Sequence, residues 1–280
     1  MKISVMTYAF GRAFGRKEMD VAAFLQMCAA CGVEGVELGG VHLHGTPDGE
    51  IRRMVDDLGL AWPVYIGSVD FVVDDRTRFL RAVDAAKAEI ERARRLEVPI
   101  VMLTTGSPKP EIEDARGRAL IAEGLRLASE FGARIGVRVS TENHGGHAQF
   151  RGRLEHIRAF LEAAPHLWFT LDDGNFLLAG DDPRKALAEF SDRLIHVHIK
   201  DFKAIPAGPG TRFPVPGRPR WAYAGVSLGE GDVDTAKTVR ALSRHGYDGF
   251  LSIEGNENYR DASSLAADVR YVRSLLAGLS

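Results

Sequence analysis

The sequence predicts an α/β fold in which eight β–α pairs close into a (β/α)₈ TIM barrel. The chain has 280 residues, of which 45% are hydrophobic, enough for a single domain of this size. Short apolar segments rich in β-branched residues alternate with longer segments of helical period along the whole chain. Strands that are apolar throughout are typical of a parallel sheet buried on both faces. Because no linker interrupts the pattern, we expect one domain over residues 1–280.

The predicted elements follow one another in strict β–α order. Each strand is a run of about five to seven mostly apolar residues. The predicted strands are 3–9, 33–38, 62–66, 99–104, 135–142, 167–172, 194–199 and 250–254. The predicted helices are 21–31, 51–58, 76–96, 112–131, 154–163, 183–190, 234–245 and 264–276. An open doubly wound sheet is the alternative, but the turn after the first strand, AFGRAFG, lacks the G-x-G-x-x-G fingerprint of dinucleotide binding.

Composition and net charge limit the kinds of partner that the protein is expected to bind. The formal net charge is −2, and basic and acidic residues are interspersed, which argues against nucleic acid as a partner. No apolar run approaches the ~18 residues of a membrane span. The apolar stretch at the N-terminus is too short for a signal peptide, so we expect a cytoplasmic protein. Cys28 and Cys31 form one C-x-x-C; we interpret them as small apolar residues at a helix end, in preference to a redox pair or half a zinc site.

Four successive strands carry a potential metal ligand at or near their carboxyl ends. These residues are Glu142, Asp172, His198 and Glu254. A carboxylate after a strand is often only the N-cap of the next helix or a solvated group. Four such residues in a row are harder to explain in that way, because the carboxyl ends of barrel strands lie around one rim. The sequence therefore predicts a metal site at this rim.

The ligand types indicate which metal the site would hold. Three carboxylates and one imidazole favour Mn²⁺, and Mg²⁺, Co²⁺ or Zn²⁺ are alternatives. Three carboxylates would repel one another without a cation between them. In the segment H-V-H, His196 and His198 point to the same side of their strand. His198 is nearer the mouth and is the predicted ligand, while His196 lies one layer deeper.

Several motifs together resemble a known family. They are T-E-N-H at 141–144, D-D-G-N at 172–175, H-V-H-I-K-D at 196–201 and G-Y-D-G-F-L-S-I-E at 246–254. With M-K-I-S-V at the N-terminus and G-V-E-G-V-E-L at 32–38, the whole chain resembles the xylose isomerase-like barrels, a superfamily of sugar isomerases and epimerases. The resemblance implies that Glu142, Asp172, His198 and Glu254 bind one divalent metal. It also implies that Glu142 and Glu254 move the substrate proton, as the matching residues do in ketose epimerases.

The resemblance implies a metal-dependent isomerase or epimerase acting on a ketose, sugar phosphate or polyol ketone. One glutamate would remove a proton next to a carbonyl, giving a metal-stabilised enediolate, and the other would return it. Loss of a β-hydroxyl would give dehydration instead, as in inosose or dehydroshikimate dehydratases. An accessory metal-binding subunit of a carbohydrate enzyme is a further alternative. An endonuclease IV-like nuclease is disfavoured, because Asn175 stands where that enzyme has a histidine.

Candidate substrate contacts are His144, Asn175, His44, Lys200 and Arg220. His144 and Asn175 follow predicted ligands closely, and His44 follows the second strand together with His42. We expect Lys200 to give polar support and Asp201 to support the ligands from behind. Trp62 begins its strand and is predicted to lie in the core at the bottom of the barrel.

A long segment at 201–231, rich in proline and glycine, separates the seventh strand from its helix. It carries Arg212, Arg218, Arg220, Trp221 and Tyr223. Because loops beyond ~12–15 residues are usually functional, we favour a lid or a subunit contact over a tolerated insertion. Its arginines would bind a phosphate or carboxylate, or make salt bridges between subunits. We expect a small-molecule carbohydrate substrate and a homo-oligomer, a dimer or a tetramer.

Overall fold

The computed structural model describes residues 1–255 and 262–279 of the chain. Its strands are β1 (Lys2–Met6), β2 (Gly35–Gly39), β3 (Ala61–Ser68), β4 (Ile100–Thr104), β5 (Arg138–Glu142), β6 (Leu167–Asp172), β7 (Leu194–Ile199), β8 (Asp201–Pro206), β9 (Phe213–Val215), β10 (Arg218–Val226) and β11 (Phe250–Ile253). Strands β1–β7 and β11 form a closed parallel barrel in the order β1-β11-β7-β6-β5-β4-β3-β2. The predicted fold, a single-domain (β/α)₈ barrel, is therefore confirmed.

Helices surround the barrel. They are α1 (Gly11–Gly15), α2 (Val21–Ala30), α3 (Asp48–Asp57), α4 (Arg76–Arg95), α5 (Asp114–Ile135), α6 (Leu154–Ala163), α7 (Asp173–Ala179), α8 (Pro183–Phe190), α9 (Thr235–Arg244) and α10 (Ala262–Ala277). Aspartates begin several of them: the side chains of Asp20, Asp75 and Asp234 each accept a hydrogen bond from a backbone N–H of the first turn. Within the described ranges no helix is long and apolar enough to cross a membrane.

Two strands show the largest errors in their predicted boundaries. The first predicted strand, 3–9, ends at Met6, because Thr7–Phe10 form a 3₁₀ helix. The fifth, 135–142, begins at Arg138, because Ile135 still belongs to α5. Gly136 ends that helix with φ 77°, a left-handed conformation that glycine adopts without strain. Apolar composition alone did not distinguish the last turn of a helix from the start of a strand.

The barrel interior has an apolar sector and a polar sector. Met6, Val64, Ile66, Ile100 and Met102 form one buried cluster on β1, β3 and β4. At inward positions of the other strands lie buried polar groups: Glu37, Ser140, Thr170, His196 and Ser252. The hydroxyl groups of Ser140 and Thr170 are hydrogen-bonded across β5 and β6 at 2.9 Å. The alternation of each strand therefore carries polar side chains up to the rim at β2, β5, β6, β7 and β11.

The segment predicted as a loop at 201–231 is a small antiparallel sheet with the strand order β8-β10-β9. This insertion sheet packs through Phe202, with Phe213 and Tyr223, against Leu178 and Ala179 of α7. The proline and glycine content had concealed its strands, because both residues are uncommon in strands. Elsewhere, Trp62 is buried as predicted, and Cys28 and Cys31 are free cysteines at the end of α2.

Candidate metal centre and active site

The structure brings the four predicted metal ligands together at the carboxyl end of the barrel. Glu142 ends β5, Asp172 ends β6, His198 lies in β7 and Glu254 follows β11. One ligand atom from each lies within 4.8 Å of the others. All four side chains are buried, with Asp172 and His198 at 0% exposure. Buried carboxylates are rare unless they are paired or bind a metal, so this cluster marks a candidate metal centre.

Two positively charged or protonatable groups hold the carboxylates in place. His198 Nδ1 lies 3.1 Å from Glu142 Oε2 and 3.4 Å from Glu254 Oε2. Lys200 Nζ donates to Glu254 Oε1 at 2.7 Å and lies 2.9 Å from Asp172 Oδ2. Lys200 is itself buried, so the predicted polar support is a buried ion pair with two of the four ligands.

Asp172 is held in place by hydrogen bonds between its backbone and Asn143 and by the helix that it starts. Its main-chain N–H donates to Asn143 Oδ1 at 2.9 Å, and Asn143 Nδ2 donates to its carbonyl oxygen at 2.8 Å. Its Oδ1 accepts the backbone N–H of Asn175 at 2.7 Å and so caps α7, a helix absent from the prediction. The N-cap role therefore does not exclude a ligand role for Asp172, because Oδ1 caps the helix and Oδ2 faces the cluster.

The donor set fits a divalent cation. Glu254 Oε2 is buried and, apart from its 3.4 Å contact with His198 Nδ1, has no hydrogen-bond partner in the part of the chain that the structure describes. Asp172 Oδ2 is likewise without a hydrogen bond there, apart from its ion pair with Lys200. Leaving buried charged oxygens unsatisfied costs free energy, and a cation would satisfy both. Opposite ligands of a cation with ligand distances of about 2.1 Å lie about 4.2 Å apart, which is compatible with four ligand atoms that all lie within 4.8 Å of one another.

The electrostatics of the cluster also leave room for a cation. Burial raises the pKa of Asp172 well above its usual value, although the charge of Lys200 opposes this. Burial also acts to raise the pKa of Glu254, but the charge of Lys200 and the nearby His198 hold it well below its usual range. Burial acts to lower the pKa of His198, but the charge of Glu37 and the hydrogen bond with Glu142 hold it well above its usual value, so the metal-free cluster holds protons that a divalent ion would displace.

Glu37 of β2 is part of this site and was missed by the sequence analysis. Its side chain is fully buried between His196 and His198. Burial acts to raise the pKa of Glu37, but the charges of His198 and His196 hold it well below its usual range, so the group is ionised. The available signal was a glutamate at position 37, near the end of the predicted strand 33–38, where an apolar residue is expected.

A cavity of about 510 Å³ opens onto the cluster. Of the predicted site residues, Glu142, His144, Asn175, Lys200 and Glu254 line it. Such a concave pocket with a few convergent polar groups is the usual form of a small-molecule site.

Two predicted substrate contacts lie elsewhere. His44 is exposed on the surface after β2, whereas His42 lines the cavity with Nδ1 2.9 Å from Thr7 Oγ1. Arg220 is exposed on β10, whereas Arg212, in the turn before β9, lines the cavity. The alternation of side chains along a strand and the course of a turn decide these positions, and the sequence did not define either. Arg12 of α1 also lines the cavity, although the sequence analysis did not name it as a site residue.

His144 presents a hydrogen-bond donor beside Glu142. Its Nδ1 accepts the backbone N–H of Gly146 at 3.2 Å, so Nε2 carries the proton, and Nε2 lies 3.8 Å from Glu142 Oε1. Burial, together with the charge of Arg151, lowers the pKa of His144 to about 4. The ring is therefore neutral near neutral pH, and it faces the cavity as a donor.

Comparison with known proteins places the chain in a family. The model of the xylose isomerase-like TIM barrel family matches residues 25–275. The chain belongs to this family. Its sequence is 25% identical to a 3-dehydroshikimate dehydratase of Pseudomonas putida over 90% of this chain and 39% of that protein. It is 28% identical to a putative L-ribulose-5-phosphate 3-epimerase of Escherichia coli over 67% of this chain and 60% of that protein.

The family includes enzymes of more than one reaction class. An inosose dehydratase of Lacticaseibacillus casei is 23% identical over 54% of this chain and 50% of that protein, so the chain spans about half the length of its curated relatives. Among solved structures, a D-tagatose 3-epimerase-like protein superposes with a TM-score of 0.78 at 17% identity, covering 100% of this chain and 98% of that one. A xylose isomerase domain protein of Planctomyces limnophilus gives 0.70 at 20% identity, covering 99% and 97%. These structural likenesses show the shared barrel.

On this family barrel, the insertion sheet forms one wall of the cavity. Phe202, Ile205, Arg212, Phe213 and Tyr223 line the cavity from that side. The sheet is held by Asp201, which had been predicted to support the metal ligands. Its carboxylate instead accepts the backbone N–H groups of Gly229, Gly231 and Val233 at 2.9–3.0 Å, where the chain returns to the barrel.

Asp201→Asn is expected to loosen the insertion sheet while leaving the barrel folded. Because a neutral amide accepts weaker hydrogen bonds than a carboxylate, we expect the closed insertion sheet to lose about 1.4 kcal/mol of stability. A loss of this size raises the fraction of molecules with an open insertion sheet about tenfold. We therefore expect trypsin to cleave after Arg212 about ten times faster than in the wild type, as followed by mass spectrometry. Asp192→Asn, at an exposed position, is the matched control. Unchanged cleavage in Asp201→Asn would show that the carboxylate does not hold the sheet.

Proposed function

We propose that the protein is a divalent-metal-dependent isomerase or epimerase of a ketose, a sugar phosphate or a related polyol ketone. The observation that carries the proposal is the position of two glutamates in one cavity. Glu142 enters from β5 and Glu254 from β11, with β6 and β7 between them. Both carboxylates reach His198 Nδ1, so they flank the point at which the four ligand atoms converge. A substrate bound at that point would have a potential proton carrier on either side.

The chain's own residues would then carry out the proton transfer. Glu142, Asp172, His198 and Glu254 would hold a divalent cation, which would supply a Lewis acid next to the substrate carbonyl and so make the neighbouring C–H bond more acidic. One glutamate removes this proton, leaving an enediolate, and the other returns a proton to the opposite face or to the neighbouring carbon. The first outcome is epimerisation and the second is isomerisation. Lys200 keeps Glu254 ionised, and so ready to accept a proton.

His144 favours dehydration as a second candidate function. Its Nε2–H faces the cavity beside Glu142 and offers a proton to a leaving hydroxyl group. The relative matched over most of this chain is a 3-dehydroshikimate dehydratase. Epimerisation would return the proton to carbon without loss of water. The two functions therefore differ in whether His144 acts on a carbon–oxygen bond, and product analysis distinguishes them.

The choice of metal and of substrate class forms part of the same proposal. An oxygen-rich ligand set with one imidazole favours Mn²⁺, with Mg²⁺, Co²⁺ and Zn²⁺ as alternatives. The names of the relatives support a small carbohydrate or cyclitol as substrate. A homo-oligomer in the cytoplasm stays a prediction, to be checked by the mass of the protein in solution.

Elemental analysis of the purified protein tests the metal site. We expect about one Mn, Mg, Co or Zn ion per chain, and at least tenfold weaker retention in Glu142→Gln and His198→Ala, because each change removes a ligand. Glu91→Gln and His166→Ala, at exposed positions, are the matched controls. Exchange of the α-proton in D₂O then screens ketoses, inososes and their phosphates.

Two results would contradict this proposal. A protein that carries no metal and takes up no Mn²⁺ would leave the cluster without the proposed role. Three zinc ions per chain would instead indicate a nuclease of the endonuclease IV type.

A further inference from the structure

A buried glutamate joins the two histidines of β7 inside the barrel. Glu37 Oε2 lies 3.0 Å from Nε2 of His196 and 3.0 Å from Nε2 of His198, and its Oε1 lies 3.1 Å from the same nitrogen of His198. The three side chains are at most 1% exposed. These contacts connect β2 with β7 across the barrel interior, on the side of His198 away from the carboxylate cluster.

Hydrogen bonding assigns the protons in this group. An ionised carboxylate only accepts hydrogen bonds, so a ring nitrogen within 3.0 Å of Glu37 has to donate. Nε2 of His196 and Nε2 of His198 therefore both carry a proton. Nδ1 of His198 faces Glu142 and Glu254 and donates to Glu142 Oε2 at 3.1 Å, so binding of a cation there would release this proton while Nε2–H stays on Glu37.

We infer that Glu37 is a positioning residue: by holding the Nε2–H of His198, it presents Nδ1 of that ring to the metal. The inference rests on the metal site proposed above. A carboxylate behind a metal-binding histidine fixes the ring orientation and makes the binding nitrogen more basic. Neither role requires Glu37 to touch the metal or the substrate.

His196 completes the arrangement from one layer deeper. Its ring is nearly perpendicular to that of His198, at 86°, with the ring centres 5.1 Å apart. Its Nε2–H donates to the same oxygen of Glu37 that His198 contacts. This bond holds the carboxylate under His198, so His196 acts on the metal ligand only through Glu37.

A second metal bound by Glu37, His196 and His198 is the competing explanation. Their ligand atoms also lie within 4.8 Å of one another. Such an ion would have a single carboxylate, and both oxygens of Glu37 already accept hydrogen bonds, whereas the neighbouring cluster has three carboxylates and two oxygens without a hydrogen bond in the described residues. We therefore expect this group to hold protons and the neighbouring cluster to hold the ion.

Glu37→Gln tests the inference, because glutamine has the same shape but a single acceptor oxygen. We expect Mn²⁺ affinity, measured by competition with a chelator, to fall about 10–100-fold. In the Zn²⁺-loaded protein, long-range ¹⁵N–¹H NMR is expected to show His198 protonated at Nε2 in the wild type and a changed nitrogen pattern in Glu37→Gln.

His196→Gln is the matched variant, because it keeps the carboxylate of Glu37 and removes its other partner. We expect His198 to stay protonated at Nε2 there, with a smaller loss of Mn²⁺ affinity. Equal losses in both variants, with an unchanged His198 pattern, would overturn the positioning role and indicate only a weaker fold.

The metal content of the wild type separates this inference from the proposed function. If the wild type binds one ion and Glu37→Gln binds it equally tightly, the inference is wrong and the proposed function stands. Two ions per wild-type chain, with one lost in Glu37→Gln, would establish the second metal site instead. If the wild type binds no ion, the proposed function fails, and the inference fails with it.

Discussion

Glu254→Gln is expected to lower the rate of substrate interconversion by about 10²–10⁴-fold, the usual contribution of a positioned acid or base. The substitution removes a proton carrier, and it also removes a carboxylate whose Oε1 pairs with Lys200 and whose Oε2 lies 3.4 Å from His198 Nδ1. Because glutamine cannot accept the substrate proton, excess Mn²⁺ should restore metal occupancy but not turnover.

A scheme with two glutamates makes a sharper prediction for this variant. Glu142 is intact in Glu254→Gln, so it should still remove the proton that lies on its own side of the cavity. We therefore expect one epimer of a substrate pair to keep exchanging its α-proton in D₂O while conversion to the other epimer is lost. Proton NMR of the two epimers, at saturating Mn²⁺, measures both rates.

The matched control is Glu91→Gln on the exposed face of α4, which is expected to behave as the wild type. Conversion within a few-fold of wild type in Glu254→Gln would rule out this glutamate as a proton carrier. Loss of exchange from both epimers, with full metal occupancy, would point to a single base.

Lys200→Met is expected to lower the free energy of unfolding of the metal-free protein by about 3–5 kcal/mol, the usual effect of breaking a buried ion pair on one side. Lys200 Nζ contacts Asp172 and Glu254, and all three side chains are buried. Methionine fills similar space without the charge, so the carboxylates lose their counter-ion but little of their packing.

A bound divalent ion should reverse most of this loss, because it neutralises the same carboxylates. We therefore expect Mn²⁺ to stabilise Lys200→Met more than it stabilises the wild type, in urea unfolding with and without a chelator. Lys237→Met, which breaks an exposed ion pair with Asp234, is the control and should cost less than about 1 kcal/mol in either condition. An equal loss for Lys200→Met with and without Mn²⁺ would show that lysine and metal do not share these carboxylates.

The local hydrophobic pattern was sufficient to predict most strands and helices of the barrel. The predicted strands 167–172 and 194–199 agree with β6 and β7 at both ends, as do the helices 154–163 and 183–190 with α6 and α8. Each is a segment whose hydrophobic period is clear and whose ends carry capping or charged residues. The insertion sheet was missed because its strands are half exposed and contain proline and glycine, so they lack that period.

The site residues likewise divide into those that the sequence predicted and those that it did not. The residues Glu142, Asp172, His198 and Glu254 followed from chain position, because the ends of parallel strands in a barrel meet at one rim. Two of the five predicted substrate contacts did not follow, since His44 and Arg220 lie outside the cavity while His42 and Arg212 line it. Loop residues are oriented by turns and by contacts distant in the chain, and one sequence does not show these.

The sequence by itself determined the barrel and the four residues that converge at its mouth, because both depend on periodicity and on the order of strands along the chain. Only the tertiary structure decided the partners of these residues. Glu37 and His198 are 161 positions apart, and Lys200 and Glu254 are 54 apart. Such pairs form when barrel closure brings distant strands side by side and buries their charges together. A buried charge has to find a partner in space, wherever that partner lies in the chain.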